Sequence, residues 1–258
     1  MMNDLAMASG MGDPLVPWIF EIVLPLIWLG IAAFHFSRTR RSGVLSLSAL
    51  LFLGGTTMWW QEWYADWGAY LLFNYNFVQI PWGPTAWTAP SKPWAVIPSY
   101  GWYFGIVFAL LVMLAERVKK ARPSWSSLRA TAVVVIPIFY LWDLAVEGSS
   151  AALGWFSYTN ILGPALMTAR GNFPLVWPIL YFVFFAVMVV WLFVQKDVAG
   201  IWLHERLFGV HRMASGAKRE FARFLVWSLT MNIMFWFVYN LPTCLLRVAF
   251  GGPSTLVP

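Results

Sequence analysis

Six apolar runs divide this chain, and the segments between them are alternately basic and nearly free of positive charge. The runs cover about residues 15–36, 44–61, 99–116, 129–149, 173–195 and 222–246. Each is close to the roughly 20 residues that a helix needs to cross a bilayer. Inside hydrocarbon every backbone N–H and C=O must find its partner within the protein, which favours helices for runs of this kind. The expected fold is therefore all-α: one polytopic membrane bundle over residues 1–258, with about six transmembrane helices. Only 11% of the residues are charged, against about 25% in soluble domains.

The basic residues give an orientation. Segments 37–43, 117–129 and 196–223 hold 14 of the 17 Lys and Arg, leaving Lys92, Arg170 and Arg247 elsewhere. Cytoplasmic loops carry such an excess, so these three are expected inside. Both termini, segment 62–98 and segment 150–172 are then expected outside, and the expected setting is a bacterial cytoplasmic membrane. The first apolar run begins near Leu15 without a basic leader, which argues against a cleaved signal peptide. The charge is topological, with some attraction to anionic lipid, and a nucleic-acid partner is not expected. The expected partners are membrane lipids and a lipophilic small molecule.

Segment 62–98 is too apolar and Trp-rich for a solvated loop, yet Pro81, Pro84, Pro90, Pro93 and Pro98 forbid a long helix after Val78. It reads as a cap or re-entrant lid over the outer mouth of the bundle. Segment 196–220 reads as a short amphipathic interfacial helix, with Ile201, Leu207 and Phe208 toward lipid.

Five of the eleven acidic residues lie in or beside the apolar runs: Glu21, Glu62, Asp66, Asp143 and Glu147. A carboxylate in hydrocarbon costs roughly 2.5–3.5 kcal/mol on insertion scales and is tolerated where it faces a polar interior. Glu62 with Asp66 and Asp143 with Glu147 are spaced i, i+4, so each pair shares one helix face. Both pairs fall in the outer halves of their spans. One carboxyl of such a set can act as general acid while another accepts a proton. Aromatic ring faces around them would stabilise developing positive charge. The plainer reading is that these acids cap helix ends or pair with Arg170. Glu21 and Asn232 stand alone and fit structural roles better.

His35, His204 and His211 lie at the cytoplasmic side, away from the acids, so no metal site and no cofactor is expected. Cys244, the one cysteine, reads as a packing residue. No phosphate-binding, nucleophile-elbow or dinucleotide motif is present.

The order WQEWYADW, LLFNYN, a Pro/Trp-rich stretch, LWDLAVEG, LGWFSY and ARGNFPLVWPIL resembles the AveC-like spirocyclase family, typified by the avermectin spiroketal cyclase. The resemblance spans roughly Trp60 to Leu246. The positions that match the family motifs are Gln61, Glu62, Asn74, Asp143, Glu147, Tyr158, Phe173 and Pro174. This chain has Glu62 where the family favours Asp, Trp63 where Pro is common and Asp66 where Asn is frequent. The resemblance implies acid-assisted, cofactor-free spiroketal formation from a lipophilic dihydroxy ketone, chemistry of the polyketide type. It assigns acid–base work to Asp143 and Glu147, with Glu62 and Asp66 facing them. Gln61, Asn74, Tyr75, Tyr158, Arg170 and Trp60 are the expected substrate-binding residues. The same parts would serve a membrane terpenoid cyclase that protonates an epoxide or alkene. A proton-coupled carrier of a lipophilic molecule is a further alternative, and a purely structural membrane protein the last.

Overall fold

The computed structural model describes residues 15–83, 86–161 and 163–258, so Pro84 and the N-terminal residues 1–14 lie outside it. Among the described residues, four helices are long and apolar enough to cross a membrane. They are α1 (Leu15–Ser42), α4 (Val96–Ala121), α5 (Ser127–Leu153) and α8 (Ala217–Phe250). Two shorter apolar helices, α2 (Leu47–Thr56) and α6 (Phe184–Val194), fall where the other two spans are expected. The molecule is a mainly helical membrane protein.

The second expected span is broken rather than continuous. α2 begins at Ser46, whose Oγ accepts the Ala49 N–H at 3.2 Å, a standard way to satisfy a free N-terminal donor. It ends at Thr57, whose hydroxyl turns back on the Gly54 carbonyl at 2.6 Å. A short 3-10 turn (Trp59–Gln61) then leads into α3 (Glu62–Ala69). Tyr70 stops α3 in a left-handed conformation, φ 56°. The fifth expected span is shorter than its apolar run. Residues 172–174 form a strand, and helical backbone starts only at Pro178.

Two small antiparallel ribbons correct the all-α expectation. β1 (Leu71–Phe73) pairs with β2 (Phe156–Tyr158), and β3 (Ala165–Met167) with β4 (Asn172–Pro174). β1, β2 and β4 are buried where the chain leaves the helices, so their backbone groups still need partners, while β3 is largely exposed. Segment 70–95 contains no helix among its described residues and packs inward through Leu72, Phe77, Ala89 and Ser91. Of segment 62–98, where a cap is expected, residues 62–69 are helical in α3 and 96–98 begin α4, and Trp82 and Trp87 are exposed.

The three basic segments gather at one end of the bundle. Lys196 pairs with Glu116 at 2.6 Å, and Arg223 bonds Glu205 at 2.9 Å and the Leu45 carbonyl at 3.1 Å. Segment 196–220 is less helical than expected. α7 (Leu203–Leu207) and a 3-10 turn (Val210–Arg212) form there before α8 begins at Ala217. Lys196 instead bridges to Trp202, and Gly200 and Gly209 take positive φ, which breaks any longer helix. Leu207 and Phe208 are exposed as expected, while Ile201 is half-buried.

α2 lies against α4 through glycines. A Cβ on Gly55 would sit 2.7 Å from the Phe104 Cβ and 2.9 Å from the Tyr100 carbonyl, and one on Gly105 2.8 Å from the Phe52 Cβ. Small residues let membrane helices approach closely. Gly55→Ala is expected to destabilise the fold by about 1–3 kcal/mol, since backbone must move to admit the methyl group. Gly30→Ala, where nothing lies within 4 Å, is expected to be neutral. Thermal unfolding of both variants in mild detergent checks the contrast.

Candidate active site

At the end opposite the basic segments the helices part around a cavity of about 400 Å³. α3 offers it the face Glu62, Ala65, Asp66 and Ala69, and α5 the face Phe139, Val146, Glu147 and Ser150. The i, i+4 logic works for α3: both carboxyls reach the cavity. On α5 only Glu147 does. Asp143 is buried one turn nearer the basic end and is not part of the wall.

The carboxyls sense one another across the cavity. Asp66 interacts electrostatically with Glu62 and Glu147, and Glu147 with Asp143 and Glu62. The Tyr100 hydroxyl donates to Glu62 Oε2. Glu147 is hydrogen-bonded to Tyr158. Asp66 Oδ2 and Asp143 Oδ2 are buried without a protein partner. Such groups are rare in native proteins and each calls for an explanation, a catalytic role among them.

Most of the rest of the wall is aromatic. Tyr100, Tyr103, Tyr158 and Tyr239 bring hydroxyls, and Phe73, Phe104, Phe108, Phe156, Phe185, Phe235, Trp102 and Trp155 bring ring surface. Much of this comes from three π-helical stretches: Tyr103–Phe108 in α4, Pro178–Val183 before α6 and Phe235–Asn240 in α8. Each widened turn places at least one ring on the cavity: Tyr103, Phe104 and Phe108; Phe182; Phe235 and Tyr239. π-bulges are rare and recur at functional sites.

Of the expected substrate-binding residues, Tyr158 alone lines the cavity. Gln61 is wholly buried elsewhere: its amide donates to Asn232 Oδ1 at 2.8 Å and accepts from Asn240 at 3.2 Å, which ties α3 to α8. Trp60 is exposed and donates to Asn232 Oδ1 at 3.1 Å. Asn74 donates to the Gly154 carbonyl at 2.9 Å and so closes the end of α5 that carries Glu147. Tyr75 and Arg170 are exposed, and Phe173 is buried against Tyr158. Glu21 and Asn232 have the structural roles expected of them. Glu21 accepts the Val78 N–H at 2.5 Å, and Asn232 bonds Thr57 at 2.8 Å.

Sequence reasoning missed Tyr100, Tyr103 and Tyr239. Tyr100 and Tyr103 stand three apart at the outer end of the third run, a spacing that shares a face, and that signal was available. The π-turns that bring Tyr239 inward had none.

Residues 39–253 match the family described as spirocyclase, AveC-like. The chain belongs to the AveC-like spirocyclase family. Searches of curated proteins and of solved structures found no match. The family match takes in the helices α2 to α8, both carboxyl-bearing faces and all three π-turns. It leaves out nearly all of α1. Membership in a spirocyclase family implies a cyclase-type role for the chain.

Proposed function

We propose that this protein is a cofactor-free membrane cyclase that closes a lipophilic dihydroxy ketone into a spiroketal. The observation that carries the reading is the meeting of Glu62, Asp66 and Glu147 in one aromatic cavity. Its volume of about 400 Å³ falls in the range of about 300–1,000 Å³ usual for small-molecule sites.

The chemistry needs little beyond these groups. One substrate hydroxyl adds to the ketone carbon, and its proton passes to the former carbonyl oxygen, giving a hemiketal. A carboxylic acid of the site then protonates the hemiketal hydroxyl, which leaves as water. The resulting oxocarbenium ion is stabilised by the ring faces around it. The second hydroxyl attacks this carbon and gives up its proton to the carboxylate just formed. The balance is one ketone and two hydroxyls in, one spiroketal and one water out, with the acid regenerated. Glu147, Glu62 and Asp66 are the residues assigned to these proton transfers, and the tyrosine hydroxyls to orienting the oxygens. Holding a flexible chain folded supplies the entropic advantage, and the fixed wall selects one face for closure.

The test is a product assay. Purified protein in lipid is incubated with a long-chain dihydroxy ketone, and the spiroketal stereoisomers are separated by chiral chromatography. One dominant isomer from the wild type is expected, with Asp66→Asn at least tenfold slower. A mixture equal to that from acid alone, unchanged by the protein, would reject the reading.

A further inference from the structure

Two of the residues on the cavity wall are exposed: Val23 at 38% and Ile27 at 41%. Every other described residue of the wall is buried or half-buried. The cavity is thus open on one side, at α1. Val23 and Ile27 belong to the half of α1 farther from Arg38, Arg40 and Arg41, and their neighbours Ile22, Leu26 and Leu29 are exposed and apolar. A helix of 28 residues rises about 42 Å at 1.5 Å per residue, enough to cross a bilayer. The opening therefore sits among acyl chains, in the leaflet opposite the basic segments.

α1 is the side wall of the cavity there. It rests on the bundle mainly along Val96–Trp102. Polar contacts pin it above and below the opening: Glu21 to the Val78 N–H at 2.5 Å, and Trp28 Nε1 to Thr56 Oγ1 at 3.0 Å. Between these pins lies Pro25, which has no N–H to give the carbonyl one turn before it.

We infer that the cavity is loaded sideways from the membrane through an opening edged by Val23 and Ile27, so that its substrate is a molecule dissolved in the hydrocarbon layer. The inference deepens the cyclase reading by naming the class of substrate and its route, and it rests on that reading for the reaction alone.

The experiment uses the full chain in liposomes that already contain a diazirine-bearing sixteen-carbon ketone. Flash illumination at successive times after mixing captures the probe, and mass spectrometry reads adducts on the α3 and α4 peptides. Val23→Trp with Ile27→Trp narrows the opening. Ile22→Trp with Leu26→Trp places the same bulk on the neighbouring lipid-facing positions and serves as control. Capture at least tenfold slower in the first pair, with the control at the wild-type rate, is the expected result. Equal rates in all three proteins overturn the inference. Spiroketal formation is followed in parallel, which keeps the two readings apart. Probe captured by a wild type that makes no product removes the cyclase and leaves the route standing.

Discussion

Glu147→Gln is expected to lower the rate of spiroketal formation by about 10²- to 10⁴-fold, the usual contribution of a positioned general acid or base. Glutamine keeps the shape and the hydrogen bond to Tyr158 but can neither give nor take the proton. Glu62→Gln is expected to fall in the same range, because Glu62 also lines the cavity and holds the Tyr100 hydroxyl. Asp143→Asn is expected to cost less than about tenfold, because Asp143 stands behind the wall and acts on the site through its field on Glu147 and on Tyr103, Tyr158 and Tyr239. Single-turnover product formation in lipid measures all three, with thermal unfolding to show that each variant is folded. A loss for Asp143→Asn as large as for Glu147→Gln would move the proton transfer to α5 alone. Full activity in Glu147→Gln would take the reaction out of this cavity.

That ordering could not have been written from the sequence. The i, i+4 spacing brought both α3 carboxyls to one cavity but only Glu147 of the α5 pair, and the charge pattern grouped the basic segments at the other end. Spacing along a helix fixes direction but not how far a neighbouring helix stands off, and it is this distance that separates Glu147 from Asp143. The expected binding residues failed for a related reason. Gln61, Trp60 and Asn74 occupy the right depth, but their polar groups are consumed by helix-to-helix and helix-end contacts. A buried amide is costly unless it is bonded, and a family motif does not reveal whether its partner is protein or substrate. The breaks in the second and fifth spans were hidden as well. Apolar runs report burial, and the Asn172–Pro174 strand is as buried as a helix would be.

The largest expected effect on stability lies at the other end of the molecule. Arg223 is nearly sealed, with 5% of its side chain exposed, between Glu205 and Glu220 at 4% and 12%. It donates to Glu205 Oε1 at 2.9 Å and Glu220 Oε2 at 2.7 Å. Trp227 also donates to Glu205 at 2.8 Å, and Glu220 accepts the Leu45 N–H at 2.8 Å. This cluster joins the loop before α2 to α7 and α8. Beside it, burial and the Arg223 charge push His204 down to about 4, so the histidine is neutral near pH 7 and does not offset the acids. Arg223→Met keeps most of the side-chain volume but leaves two buried carboxylates without their cation. Removing one partner of a buried pair costs about 3–5 kcal/mol, and that is the loss expected in denaturant titration in mild detergent. Arg206→Met breaks the Asp197 bridge, in which the arginine side chain is 56% exposed, and is expected to cost no more than about 1 kcal/mol. The decisive variant combines Arg223→Met with Glu205→Gln and Glu220→Gln. If stranded charge is the cause, neutralising it recovers part of the loss. No recovery would place the effect in packing instead, where the guanidinium lies 5.7 Å from the centre of the Trp202 ring.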